Sequence, residues 1–265
     1  MYSKSATAFR FLNYYIQASN SRGHGIHSPF VYQFVTDVLN DEQDYPEYGK
    51  IEQVKNKMLQ DGRLLESIDF GAGAEIDASA VKKISAIARK SVSSKKFGRL
   101  LFRIAKYYSA ETIIELGSSL GISTAYLASA SPASHMVTIE GSAALALVAR
   151  ENFDFLGLHN IVQVNGQFDE KLNEVISSNP AAGLIFIDGN HRKKPVLDYF
   201  EQFMNKKHMN AIIIFHDIHW SKEMEEAWII IQQDHRVKMT IDIFSAGLIF
   251  FREELKVKQH FIIRF

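Results

Sequence analysis

Thr112-Ile113-Ile114-Glu115-Leu116-Gly117-Ser118-Ser119-Leu120-Gly121-Ile122-Ser123-Thr124 is the stretch that decides the fold. An apolar, β-rich run enters a turn with glycine at Gly117 and Gly121, and Ile122 opens a helical segment. The order is strand, glycine turn, helix. Such a turn at the carboxyl edge of a parallel sheet brings backbone close to a ligand. The spacing alone is not decisive, because glycine also serves close strand-to-helix packing.

Working outward toward the C-terminus, short apolar runs alternate with longer segments of helical period, the pattern of β-α-β units. Strands are expected at Thr112 to Leu116, Met136 to Glu140, Ile161 to Val164, Leu184 to Asp188 and Ala211 to Phe215. Ser142 to Leu156 reads as a helix ending at Gly157, and Ser221 as the cap of a helix carrying Met224, Ala227, Trp228 and Ile231. Val237 to Phe244 and Leu248 to Arg252 then read as an antiparallel pair, with His260 to Phe265 as an edge strand or docked tail. The expected class is therefore α/β, a Rossmann-like, doubly wound, mostly parallel sheet with a terminal antiparallel strand pair.

Toward the N-terminus the character changes. Ser28-Pro29 is a cap followed by a first-turn proline, and Val31, Phe34, Val35, Val38 and Leu39 repeat with helical spacing. The organisation expected is an N-terminal helical cap over residues 1–94 and a ligand-binding domain over 95–265. Between Ala78 and Ala110 stand nine Lys or Arg and no acid. Phe97, Leu100, Leu101, Ile104 and Tyr108 give that segment an apolar stripe, so its cations read as a solvated helix face before an anion-binding patch.

Composition narrows the chemistry. Thirty Lys plus Arg balance thirty Asp plus Glu, which leaves no global field for a polyanion. The absence of cysteine removes disulfides, thiolate metal sites and cysteine nucleophiles. The N-terminus has no continuous apolar run of signal-peptide type, and no segment approaches the length of a membrane span, so a cytoplasmic protein is expected.

Glu140, at the end of the strand after the glycine turn, is where a carboxylate accepts the two hydroxyls of a ribose. A nucleoside-bearing ligand follows. A dinucleotide's pyrophosphate would meet Glu115 just before the turn, and the third glycine of the dinucleotide fingerprint is lacking. S-adenosylmethionine (SAM) carries an ammonium and a sulfonium and no phosphate, so its charge suits the turn better than NAD. The segment resembles motif I of class I SAM-dependent methyltransferases. Over roughly residues 95 to 253 the context is similar to the O-methyltransferases that include catechol O-methyltransferase.

The resemblance implies that Glu115, Gly117, Ser119 and Ser123 contact the methionine end of SAM, that Glu140 holds the ribose, and that Gly166 and Gln167 border the adenine. Ser118, Gly121, Gly141 and Asp188 complete the implied cofactor-binding set. A second glycine turn, Ile68-Asp69-Phe70-Gly71-Ala72-Gly73-Ala74, is set aside because no acid-ended strand follows it.

Methyl transfer needs an acceptor oxygen aligned with the sulfonium methyl and relieved of its proton. By position, Asp188, His216 and Asp217 stand where metal-dependent relatives hold a divalent ion. The imidazole of His216 suits Mn, Fe or Zn better than Mg. His191 occupies the position of a catalytic lysine in catechol-type relatives and has the pKa of a general base. Catalytic roles thus fall to His191 and Asp188; the alternatives are that the metal-type residues hold the strand ends or touch SAM, and that His191 caps its turn and stacks near the adenine. His219 and Trp220 are candidates for the acceptor pocket, His24 and His27 for a lid. The partner expected is a small-molecule acceptor, with no membrane; a homo-oligomer stays open. Two other readings remain: a SAM-binding subunit without turnover, and an RNA methyltransferase using the basic stretch from Lys82 to Lys106.

Overall fold

A computed structural model describes residues 1–19, 26–67, 80–205, 211–252 and 254–265. Its helices are α1 (Lys4–Gln17), α2 (Pro29–Phe34), α3 (Pro46–Gln60), α4 (Ile84–Ser91), α5 (Lys95–Tyr108), α6 (Ile122–Ala130), α7 (Ala143–Leu156), α8 (Phe168–Ser178), α9 (Lys193–Asn205) and α10 (Lys222–Gln233). Its strands are β1 (Leu64–Ser67), β2 (Ala80–Lys83), β3 (Thr112–Leu116), β4 (His135–Glu140), β5 (Ile161–Asn165), β6 (Leu184–Ile187), β7 (Ile212–His216), β8 (Met239–Asp242), β9 (Ala246–Phe250) and β10 (Gln259–Ile262). The fold is α/β and Rossmann-like, with mostly parallel strands and flanking helices. Among the described residues no helix is long and apolar enough to cross a membrane.

The chain forms two compact units, one of Met1–Asp41 with Ile176–Phe265, the other of the described residues between 42 and 175. In the first, β6 and β7 pair in parallel, β7 and β8 each pair antiparallel with β9, and β10 joins β8 in parallel. The expected antiparallel pair is thus present, and the C-terminal run is a strand. Helix α1 is tied to this unit by the Tyr14 hydroxyl, which donates to the Ile263 carbonyl, and by Arg10, whose Nε lies 3.0 Å from Glu225.

The Ser28-Pro29 start of α2 is as expected, with Ser28 Oγ accepting from Val31 N at 3.4 Å. The helical period continues through Val35–Leu39, but as a π-helical turn that follows α2. Val31, Phe34, Val35, Val38 and Leu39 are all buried. Widening the turn moves the register by one residue, the usual effect of a π-bulge.

In the second unit, β3, β4 and β5 are parallel neighbours, and β1 and β2 form a separate antiparallel hairpin. Ser142 caps α7, and Gly157 ends it in the left-handed region with φ +67°. The apolar stripe of α5 is buried through Phe97, Leu100, Leu101 and Ile104. Part of its basic face is used locally. The Arg99 guanidinium lies 4.4 Å from the centre of the Tyr48 ring and 3.6 Å from Asp44, and Lys106 lies 5.2 Å from the centre of the Tyr45 ring. Met58, Ile84, Ala88, Leu120 and Val148 make one buried cluster, so α3, α4 and α7 all pack beneath the residue before Gly121.

Candidate functional site

The glycine turn lies at the carboxyl end of β3. Gly117, Ser119 and Gly121 have φ of +96°, +47° and +82°, all in the region that favours glycine. At Gly121 a side chain is excluded twice over, because an added Cβ would also lie 2.6 Å from the Phe153 ring of α7. Asn152 holds the same turn from α7 by donating to the Leu120 carbonyl at 2.9 Å. The close approach of turn and helix is therefore built by the sequence on both sides.

Two carboxylates flank this turn and do different things. Glu115 is fully buried, and its Oε2 accepts from Thr124 Oγ1 at 2.5 Å and Thr138 Oγ1 at 2.7 Å. Glu140 is half-buried at the rim, where Oε2 accepts from Ser119 N at 2.8 Å and Oε1 from Ser142 N at 2.9 Å. It thus joins the glycine turn to the first turn of α7.

Gly166 follows Glu140 in space, its N–H donating to the Glu140 carbonyl at 3.0 Å, with Gln167 next in the chain. Ser118 is buried, and among the described residues its Oγ has no hydrogen-bond partner. An orphaned hydroxyl at a ligand-type turn is what a polar ligand group would satisfy. Ser123 is buried in the first turn of α6, and Gly141 is half-buried between Glu140 and Ser142. Of the eleven residues expected to hold the cofactor, all but Asp188 lie in this unit, and Asp188 lies in the other.

Sequence reasoning missed three partners here. Thr124 and Thr138 carry the Glu115 carboxylate, and Ser91 Oγ, at the end of α4, lies 3.0 Å from Ser119 Oγ. A threonine in the middle of the apolar run Met136 to Glu140 was the available signal, since it stands opposite Glu115 in the β3–β4 register.

In the first unit, Asp188 follows β6 and His216 ends β7. Asp188 Oδ1 lies 2.9 Å from His216 Nδ1 and 3.6 Å from His191 Nε2, and His216 Nδ1 is 3.8 Å from Asp217. Burial works against the charge on His216, yet the two carboxylates outweigh it and push its pKa up to about 9. Burial likewise opposes ionisation of Asp188, but His216 and then His191 hold its pKa below the usual carboxylate value. His216 is thus paired with Asp188, a contact that favours its protonated form. Asn190, His191 and Asp217 have φ of +64°, +29° and +57°, strain of the kind that clusters where loops hold functional side chains.

The divalent-ion set expected from Asp188, His216 and Asp217 is not shown: His216 Nδ1 and Asp188 Oδ1 are engaged with each other at 2.9 Å. Among the described residues no group of three or more His, Asp or Glu is placed to hold an ion. His219 also departs from its expected place in an acceptor pocket. It bridges Glu225 at 3.2 Å and Asp242 at 2.8 Å and stacks on Phe244, which makes it a structural tie. Trp220 does lie beside His191, ring centres 5.5 Å apart. His27 is exposed; His24 and the second glycine turn at 68–74 lie outside the described residues.

A Rossmann-like fold with a left-handed glycine turn and an acid-ended following strand defines a nucleoside-ligand site. Comparison with known proteins specifies it. Residues 114–218 match a family described as a methyltransferase domain. A protein named catechol O-methyltransferase, from Niastella koreensis, is 28% identical over 162 residues, covering 57% of this chain and 72% of the relative. Among solved structures, the O-methyltransferase from Bacillus cereus in complex with S-adenosylhomocysteine (SAH) has a TM-score of 0.55 at 19% identity, covering 83% of this chain and 96% of that one. The O-methyltransferase TomG from Streptomyces achromogenes, in complex with SAM, has a TM-score of 0.56 at 17% identity, covering 84% and 95%. These likenesses support a class I SAM-dependent methyltransferase of the O-methyltransferase-like kind.

Proposed function

We propose that the protein methylates a hydroxyl oxygen of a small molecule. The observation that carries the cofactor half of this reading is the Glu140 carboxylate at the rim of the glycine turn, held there by the Ser119 and Ser142 amides. In this reading Glu140 receives the ribose hydroxyls. The turn from Gly117 to Gly121, with Ser118, Ser119 and Ser123, cradles the amino-acid end, and Gly141, Gly166 and Gln167 border the nucleoside. The buried Glu115 charge acts there through its field, which is strong where water is excluded. When bound, SAM supplies an electrophilic methyl on a sulfonium.

The chain's own chemistry is the removal of the acceptor proton. His191 is proposed as the base. With Nε2 turned to Asp188, its Nδ1 is the nitrogen left to take the proton as oxygen bonds to the methyl group and SAH departs. At 3.6 Å the His191–Asp188 contact is loose, as catalytic pairs often are before substrate binds. Residues 1–94 are proposed to supply acceptor-side walls, and a cytoplasmic location belongs to the same reading.

The test is transfer of labelled methyl from SAM to a panel of phenols, catechols and aliphatic alcohols, beside calorimetric titration with SAM. Saturable SAM binding and label in a hydroxylated acceptor are expected. SAM binding with no transfer to any acceptor would return the chain to a binding subunit, and absence of SAM binding would end the proposal.

A further inference from the structure

Helix α1 of the first unit turns an apolar face to water. At about 100° per residue, Ser5, Phe9, Leu12 and Ile16 fall in one stripe, on the side of the helix opposite the buried Tyr14 and Ala18. Phe9, Leu12 and Ile16 are 71%, 56% and 69% exposed. A helix lying loosely on a protein would roll such a stripe inward, because burying each large apolar side chain is worth about 1.5 to 3 kcal/mol.

Specific ties prevent that roll. The Tyr2 hydroxyl donates to Glu225 at 2.7 Å, Arg10 Nε donates to the other oxygen of the same carboxylate at 3.0 Å, and Tyr14 donates to the Ile263 carbonyl. Just past the helix, Ser19 N donates to the Ile262 carbonyl at 2.8 Å and the Ser19 carbonyl accepts from Arg264 N at 3.2 Å. Tyr2 N also donates to the Trp220 carbonyl at 3.1 Å, so the ties reach the turn whose indole lies beside His191. Polar bonds fix the inner face, and the outer face stays in water.

The chemistry of the outer face selects its occupant. Helix α1 carries no acid; of its two cations, Lys4 is exposed and Arg10 is paired with Glu225. The stripe itself is uncharged, and Asn13 and Gln17, hydrogen-bonded to each other at 3.0 Å, give it a neutral polar border. An apolar, partly aromatic centre without charge and with a polar rim is the make-up of a protein–protein interface. An anionic bilayer calls for a cluster of about four or more Lys and Arg, where this face offers Lys4 and, over the Tyr15 ring, Arg264. A strongly charged protein would gain nothing from an uncharged stripe, whereas the same face of another copy meets it without mismatch. With the outer edges of Phe11 and Tyr15, the face leaves on the order of 600 Å² in water, so a pair of faces would bury about 1,200 Å², the lower end of specific interfaces.

We infer that the outer face of α1, centred on Phe9, Leu12 and Ile16, is a self-association surface on which a second copy of this chain docks the same face about a two-fold axis. The inference stands apart from the cofactor and acceptor readings.

The test is sedimentation velocity on the full chain between about 1 and 100 µM, the range in which an interface near the lower size limit dissociates. A reversible monomer–dimer equilibrium is expected. Leu12→Glu and Ile16→Glu should each raise the dimer Kd roughly tenfold or more, yet unfold in denaturant as the parent does, since both side chains are exposed on the single chain. The chain has no cysteine, so Asn13→Cys should be joined by a bismaleimide to the same residue of a second copy, and Glu174→Cys, exposed on α8, should not. A parent that stays monomeric to about 100 µM, or a dimer whose Kd neither glutamate substitution moves, overturns the inference. Cross-linking of Glu174→Cys in place of Asn13→Cys does the same. Capture of a monomeric parent by phosphatidylglycerol vesicles, lost in Leu12→Glu, would assign the face to a bilayer and likewise overturn it.

Discussion

Replacing Glu140 by Gln changes no volume and one charge, which makes it the sharpest probe of the cofactor turn. In the parent chain both carboxylate oxygens accept from backbone amides, Ser119 N at 2.8 Å and Ser142 N at 2.9 Å. Gln offers a single oxygen, so one of the two amides must face an NH2 group, donor against donor. That mismatch should cost about 1 to 3 kcal/mol of folding stability in the absence of ligand. Loss of a charged acceptor for the ribose hydroxyls should cost SAM a further ~1.5 to 3 kcal/mol, which is roughly a 10- to 150-fold increase in Kd. Calorimetry with SAM and SAH measures the second effect, and chemical unfolding of the ligand-free protein measures the first. Ser142→Ala serves as the control. It removes the cap that accepts from Leu145 N but leaves the backbone amide and the Glu140 charge. Stability should fall by about 1 kcal/mol with SAM affinity unmoved. A folded Glu140→Gln protein whose SAM Kd stays within a factor of two of the parent would refute the ribose assignment.

Gly121→Ala forces a side chain into φ +82° with Cβ 2.6 Å from the Phe153 ring. Strain and overpacking together should cost about 2 to 4 kcal/mol in denaturant unfolding, and a loss below about 1 kcal/mol would mean the turn relaxes freely. The His216–Asp188 pair gives a pH signature. Because the His216 pKa is raised from its ordinary 6.5 to about 9, its stabilisation is complete below pH 6.5 and is lost as pH rises through 9. Asp188, with its pKa lowered, adds stability above its ordinary value near 3.8 and loses it as pH falls. Unfolding free energy of the parent should therefore decline between pH 6.5 and 9.5 by an amount on the order of 3 kcal/mol that His216→Asn does not show. Parallel curves for the two proteins would dissolve the ion pair.

The helix ends were legible in the sequence because a cap is a local device: Ser28 with Pro29, Ser142 with Gly157, and Ser221 each act on residues within one turn. What joins one strand to the next was not legible, because register is not written in either strand alone. Glu115 stands opposite Thr138 in the β3–β4 pairing, and that threonine buries and holds the carboxylate. Ile187 stands opposite Phe215 in the β6–β7 pairing, so the next residues along, Asp188 and His216, meet as an ion pair. The spacing that suggested metal ligands is, in this register, also the spacing that brings Asp188 and His216 together. The π-helical turn after α2 and the tie between His219, Glu225 and Asp242 were hidden for the same reason, since each depends on packing from a distant segment.

Register also decides how the charge argument for a cationic cofactor must be read. Glu115 and Glu140 are the same residue type near the ends of neighbouring strands, but Glu115 is followed by Leu116 inside β3, whereas Glu140 is the last residue of β4. Two residues of depth in the β3–β4 register separate a carboxylate enclosed by threonine hydroxyls from one that reaches the rim and binds the turn amides. An ionised Glu115 would favour a cation over a pyrophosphate through its field. In the proposed reading, direct recognition rests on the rim carboxylate. The selectivity for a sulfonium nucleoside and the affinity for its ribose are therefore separable: the first should respond to Glu115 and the second to Glu140.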